Sequence, residues 1–153
     1  MPDPVLRFQY PGIDADDGRN DEGKRHFYLC KADLLVSEIQ IFEPGAHVNL
    51  HTHLMETGVW IVLSGTFTFY GEGDTIYGEL GKYEGLLIPA GSKYWFENTG
   101  DEPAESMRVD CHTPPGARIS PEPQKVMNAF GTARWSSYAD AAHEQRRPRT
   151  PTS

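Results

Sequence analysis

The sequence predicts an all-β fold, a small barrel or two-sheet jelly roll, and three observations carry that prediction. The 15 Gly and 12 Pro fall between short runs of β-branched and aromatic residues, which is how many-stranded antiparallel folds are punctuated. Eight such runs follow one another between residues 26 and 112, and closing them into a barrel or packing them as two sheets limits exposed edges. No segment before Pro121 has a convincing helical period.

Taken in order, residues 1–25 form an N-terminal arm, because Asp14-Ala15-Asp16-Asp17-Gly18 through Asp21-Glu22-Gly23 reads as a polar loop with little reason to order. The expected strands are 26–31, 34–42, 47–53, 59–70, 74–80, 84–88, 93–97 and 106–112, together making a barrel over 26–113. Pro44-Gly45, Gly71-Glu72-Gly73, Pro89-Ala90-Gly91 and Asn98-Thr99-Gly100 mark breaks between them. Gly71-Glu72-Gly73-Asp74 lacks both the Lys and the following helix of a phosphate loop and reads as a β-turn. In 34–42, Ile39 and Ile41 are expected inside, with Glu38 and Gln40 outside. In 106–112, Met107, Val109 and Cys111 are expected in the core, leaving Arg108 and Asp110 outside and His112 outside or at the rim. Residues 114–153 form a second arm, Pro-rich over 114–123, with a short helix expected at 139–145. Val126, Met127, Phe130, Trp135 and Tyr138 are too apolar for a free tail and are expected to dock across the barrel or a neighbouring subunit.

The 153 residues fit one domain, and 22 acidic against 14 basic residues give a net charge of -8. That balance argues against non-specific binding to nucleic acid or an anionic membrane, which needs clustered Lys and Arg. The longest apolar stretches, 59–63 and 85–88, are strand-sized, too short for a spanning helix. Met1-Pro2-Asp3-Pro4 shows no export signal, so a cytoplasmic location is expected. Cys30 and Cys111 have neither zinc-finger spacing nor a disulfide framework and read as free thiols.

Chemistry concentrates in 43–65. His51 and His53, at i and i+2 on a strand, share a face, and two imidazoles converging on one cavity are what a first-row transition metal needs. His47 and Asn49 have the same parity, and an apolar core would not tolerate four polar side chains in a row, so this face should line a wet or ligand-bearing cavity. Exposure at the strand's start is the competing expectation for His47 and Asn49.

Gly45, His51, His53 and Gly65 resemble the first motif of the cupin superfamily, and Pro89, Gly91 and Asn98 resemble its second. The resemblance spans 45–98 and implies a small cupin-type double-stranded β-helix, a jelly-roll barrel of the RmlC-like kind. It also implies a metal site on His51 and His53. Where the family has its ligand Glu this chain has Gly58, with Glu56 two residues early, a shift that keeps strand parity. Tyr94 stands where the family has its last ligand His, and Tyr83 where it has a leading Gly. The expected metal set is therefore His51, His53 and Glu56, with Glu56 or Tyr94 as the proton carrier.

Parity with position 58 makes Trp60 a cavity wall beside Tyr94 and Phe96, suited to a small, partly apolar organic ligand; ordinary core packing competes for Phe96. The implied cofactor is a divalent transition metal, Fe, Zn, Mn or Ni, or none. The implied function is a metal-dependent enzyme acting on a small oxygenated organic substrate, with dioxygenase-like, isomerase or lyase chemistry. The alternatives are a non-catalytic small-molecule-binding cupin and a metal-free isomerase or epimerase. Similar small cupins pair as homodimers, and the apolar tail around Trp135 gives a reason to expect one here.

Overall fold

The computed structural model describes residues 5–16 and 20–114, all within the unit Met1–Ile119. The second unit, Ser120–Ser153, lies outside the described residues. So do the expected helix at 139–145, the docking of Val126 to Tyr138 and any pairing through Trp135.

The described strands run β1 (Asn20–Asp21), β2 (Lys24–Lys31), β3 (Leu35–Phe42), β4 (His47–Thr52), β5 (Glu56–Ser64), β6 (Phe67–Tyr70), β7 (Ile76–Leu80), β8 (Gly85–Ile88), β9 (Lys93–Asn98) and β10 (Ala104–His112). A single 3-10 turn, Glu72–Asp74, interrupts them. They form two antiparallel sheets, ordered β1-β2-β3-β10-β5-β8 and β4-β9-β6-β7. Among the described residues no helix is long and apolar enough to cross a membrane.

The run 59–70, expected as one strand, is two. β5 belongs to the six-stranded sheet and β6 to the four-stranded one, and the chain changes sheets at Gly65. That residue has φ +75°, and a Cβ there would lie 2.6 Å from the Cβ of Ala104, so glycine is required on both counts. The same inter-sheet region is stapled by Asn98, which is 1% exposed. Its amide donates to the carbonyl oxygens of Phe42 (2.9 Å) and Glu102 (2.8 Å) and its Oδ1 accepts from the Gly100 N–H at 2.9 Å.

The N-terminal segment also departs from the polar-loop reading. Ala15 is buried with Ile39 and Ile41, and Tyr10, Ile13, Phe27, Leu29, Leu63 and Met107 pack around them. Arg25 fixes the segment by donating to the carbonyl oxygens of Ala15 (2.6 Å) and Ile13 (3.0 Å). The outer face of the six-stranded sheet is thus covered here, and Ile39 and Ile41 find their apolar neighbours outside the barrel. Strand alternation then turns Glu38 and Gln40 inward, together with Ser106, Arg108 and Asp110 on the neighbouring β10. Of these, Glu38, Gln40, Ser106 and Asp110 are buried. The expectation that they face solvent assumed that only one face of this sheet is covered.

Inside the barrel, Phe42, Val62, Phe67, Phe69, Phe96 and Ala104 form a closed apolar core with Trp60 and Tyr94 at its border. Phe96 is its centre, stacked on Phe42 (centroids 5.2 Å apart, 15° between planes) and on Phe69 (4.6 Å, 14°).

Candidate functional site

The site starts from an irregularity in β4. Val48 pairs with Phe96 and His51 with Tyr94, so three steps along β4 match two along β9, a β-bulge at Asn49 and Leu50. The extra residue resets parity. Val48 packs against the barrel core and His51 lies against the buried Tyr94 ring, whereas His47 and Asn49 are exposed. The expectation that His47, Asn49, His51 and His53 share one face is therefore corrected: the bulge leaves the first two outside.

His51 and His53 do come together. Their ring centroids are 5.0 Å apart with the planes at 87°, and the Tyr94 ring lies 4.3 Å from His51 and 6.2 Å from His53. His51 Nδ1 stands 2.7 Å from the Asn49 carbonyl oxygen. Only an N–H can face a carbonyl at that distance, so Nδ1 carries the proton and Nε2 keeps its lone pair. Burial pulls the His51 pKa below the ordinary imidazole value, against the raising effect of that carbonyl and with help from the neighbouring His53 and Arg108. The His53 carbonyl oxygen accepts from the Gly91 N–H at 2.8 Å, a turn made possible by φ +87° at Gly91.

Glu56 does not complete a three-ligand set with these rings. Its Oε2 lies 3.6 Å from His53 Nδ1 and 3.8 Å from Arg108 Nη2, and its Oε1 lies 3.3 Å from His112 Nδ1. Among the described residues, no three His, Cys, Asp or Glu side chains form a group that could hold a metal ion. The carboxylate expected as third ligand is drawn to a guanidinium and to the Nδ1 edge of two imidazoles.

Arg108 is the residue that sequence reasoning missed. Its Nε donates to Asp110 Oδ1 at 2.9 Å, Nη1 lies 3.8 Å from Glu38 Oε1, and the guanidinium sits 4.9 Å from the Trp60 ring. Trp60 donates its indole N–H to Gln40 Oε1 (3.0 Å) and Gln40 donates to Glu38 Oε1 (2.9 Å), so every arm of the network is anchored. Burial raises the Glu38 pKa, but the hydrogen bond from His26 and the charges of His26 and Arg108 outweigh it and hold the carboxyl below its usual range. For Asp110 the balance reverses: burial pushes its pKa up despite Arg108. The signal was present in sequence as Glu38 and Arg108 in two strands of the same alternation; they are direct register partners.

His53, Glu56, Gly58, Trp60, Ser92, Tyr94, Arg108 and Asp110 surround a cavity closed by Ile88 and Pro89, of about 10 Å³, room for about one water-sized guest. The Tyr94 hydroxyl is buried and has no hydrogen-bond partner, as is true of Ser106 Oγ. Burial, reinforced by the charges of Asp110, Glu56 and Glu38 and opposed by Arg108, pushes the Tyr94 pKa up to about 12. Position 58 has no room for any side chain: a Cβ there would lie 2.7 Å from the Trp60 ring and 2.9 Å from Asp110 Oδ1. Trp60 lines the cavity, while Phe96 belongs to the apolar core and His47 and Asn49 line a separate outer groove.

Comparison with known proteins bears on this arrangement. Residues 38–110 match the family described as "Cupin domain", while no curated protein matches the chain. Among solved structures, a Klebsiella pneumoniae conserved protein with a double-stranded β-helix domain superposes with a TM-score of 0.60 at 16% identity, covering 76% of this chain and 100% of that one. An RmlC-like cupin from Shewanella frigidimarina gives 0.59 at 15%, covering 72% and 95%. A predicted oxalate decarboxylase from Thermotoga maritima gives 0.54 at 20%, covering 58% and 80%. At these identities the likeness is one of fold: the two antiparallel sheets form a jelly-roll barrel like that of the RmlC-like cupin neighbours, and residues 38–110 within it carry the match to the cupin domain family.

Proposed function

We propose that the polar end of the barrel is a metal-dependent site for a small oxygenated organic molecule, held on His51 and His53. The observation that carries this reading is the pair of imidazoles beside a buried tyrosine hydroxyl that no protein group satisfies. A divalent transition metal fits that donor set: His51 Nε2 is left free by the carbonyl at Nδ1, the Glu56 carboxylate lies on the Nδ1 side of His53, and the orphaned Tyr94 hydroxyl is at hand to donate to a bound oxygen. Charge supports it as well. Glu38, Glu56 and Asp110 face the single guanidinium of Arg108, an acidic surplus that a dication would offset.

When bound, such an ion would polarise an oxygen of the substrate and, as iron with dioxygen as co-reactant, would extend the chemistry to oxygenation. The chain's own groups have distinct parts. Glu56, tied to His53, His112 and Arg108, can take a proton at its carboxylate and pass it to His112 at the rim. Tyr94, with its raised pKa, stays a phenol at neutral pH and donates to an oxygen. Trp60 and Ile88 keep bulk water out. The cavity admits only a water-sized group, so the bulk of the substrate must rest at the rim, where Ser92 and the half-exposed His53 stand. The fold-level neighbour described as a predicted oxalate decarboxylase makes small oxyacids the class to screen first.

Elemental analysis of the purified protein after equilibration with Fe, Zn, Mn and Ni tests the reading. Stoichiometric metal in the wild type, lost in a His51→Ala, His53→Ala double variant that keeps its fold, is the expected result. No bound metal in either protein supports a second reading, a metal-free binding or acid–base site, which is favoured by the engagement of Glu56 with Arg108 instead of with the imidazole pair.

A further inference from the structure

The bulge that turns His51 inward leaves His47 and Asn49 outside, and a groove of about 410 Å³ runs between them and Asp74, Trp95 and Glu97, with Val48 and Leu50 completing its lining. It shares no lining residue with the polar cavity. Trp95 is fixed here as a platform. Tyr70 on β6 stacks against it with centroids 4.0 Å apart and 12° between planes. The indole N–H donates to Asp74 Oδ1 at 3.0 Å, and the Tyr70 hydroxyl donates to Glu97 Oε1 at 2.8 Å.

A cross-strand aromatic pair stabilises a sheet by itself. It does not require a carboxylate at the polar tip of each ring. Among the described residues no Lys or Arg lines this groove. The Lys24 ammonium is tied at the groove's edge to the His47 carbonyl oxygen at 3.0 Å and lies 3.8 Å from Asp21 Oδ2, and the Lys93 ammonium is held by Glu72 at 2.7 Å. An aromatic face between two uncompensated carboxylates attracts a cation through both the ring quadrupole and direct charge. A neutral ring such as a sugar could use the indole face with Asn49 and His47, but would gain nothing from the charge.

We propose that this groove is a second binding site, for a small organic cation bearing an alkylated ammonium group. Trp95 supplies the face, and Asp74 and Glu97 supply the countercharge. The site does not rest on the metal reading: its face and countercharge come from Trp95, Asp74 and Glu97, and the groove meets the imidazole pair only through the Asn49 carbonyl oxygen that accepts from His51 Nδ1.

The test is a titration of the full chain with choline, followed through the Trp95 indole N–H signal in two-dimensional NMR and assigned with Trp95→Phe. The expected result is a saturable shift with a dissociation constant on the order of millimolar, while the Trp60 signal stays in place. Asp74→Asn and Glu97→Gln, which preserve shape, should each weaken binding by about threefold or more, and added salt should weaken it too. If Trp95→Phe does not fold, these two charge variants still decide the matter. The proposal is overturned by the absence of a saturable shift. It is equally overturned by binding of the neutral analogue of choline with carbon in place of nitrogen as tight as that of choline, or by a shift with methyl glucoside and none with choline.

Discussion

Four strands contribute to both ends of the barrel interior, and moving a few residues along each changes the chemistry completely. On β3 the inward series runs from Glu38 and Gln40 to Phe42; on β10, from Asp110 and Arg108 through Ser106 to Ala104; on β5, from Glu56 through Trp60 to Val62; on β9, from Tyr94 to Phe96. One end is closed by stacked phenyl rings that need nothing from outside. The other contains three carboxylates, one guanidinium and the Tyr94 hydroxyl, which like Ser106 Oγ has no partner. Hydrocarbon burial stabilises the first end, whereas at the second each buried charge depends on its neighbours, and removal of one leaves the rest exposed to a large desolvation cost. The contrast says that the apolar end holds the barrel together so that the polar end can remain incompletely satisfied.

The sharpest way to probe that contrast is to damage each end in turn. Phe96→Ala should lower stability by about 4 kcal/mol, measured by urea unfolding, because it empties the centre of three stacked rings. Arg108→Met should cost about 3 kcal/mol by leaving Asp110 without its cation and Glu38 with His26 alone. A triple variant with Glu38→Gln, Arg108→Met and Asp110→Asn should recover most of that loss. If the single and triple variants are equally unstable, Arg108 acts through packing on Trp60 and not through charge.

Tyr94 gives a smaller effect with a defined pH window. Its pKa of about 12 in the folded chain exceeds the ordinary tyrosine value of 10.0. The folded state therefore holds the proton more tightly, and the resulting stability is complete below pH 10 and lost as pH rises through 12. The difference is at most about 3 kcal/mol. Alkaline unfolding of the wild type should fall in that window relative to Tyr94→Phe, and identical pH profiles would contradict a buried, unpartnered phenol. At neutral pH Tyr94→Phe should change stability by less than about 1 kcal/mol, since it removes a hydroxyl that makes no hydrogen bond. Smallest of all, His47→Ala and Asn49→Ala should leave metal content unchanged, because the bulge places both outside.

How much of this was legible in the sequence depended on whether a local rule was enough. Gly45 and Gly91 were legible as breaks and have positive φ, whereas Gly65, read as lying inside one strand over 59–70, also has positive φ and is where the chain changes sheets. The i, i+2 spacing of His51 and His53 correctly brought two imidazoles together. Parity failed one turn of pleat earlier, because nothing local announces a bulge at Asn49 and Leu50; that irregularity exists only in the pairing of β4 with β9. Glu38, Arg108 and Asp110 were read outward for a related reason. Alternation on β3 and β10 says that two faces differ, but which face is the interior depends on the distant segment around Ile13 and Ala15, whose covering of Ile39 and Ile41 frees the charged face to turn in. Glu56 had the right parity, but its partner Arg108 comes from β10, some fifty residues further along the chain.

The central claim is that the polar end presents the Nε2 atoms of His51 and His53 to a guest with Tyr94 beside them. It is tested most directly by following the imidazole nitrogens in long-range proton–nitrogen NMR while one equivalent of Zn(II) is added. The account predicts that the Nε2 signals of His51 and His53 move together to the metal-bound range while their Nδ1 atoms stay protonated, and that His26, His47 and His112 do not respond. Unchanged His51 and His53 signals, or a response centred on His112 and the Nδ1 side of His53, would contradict it.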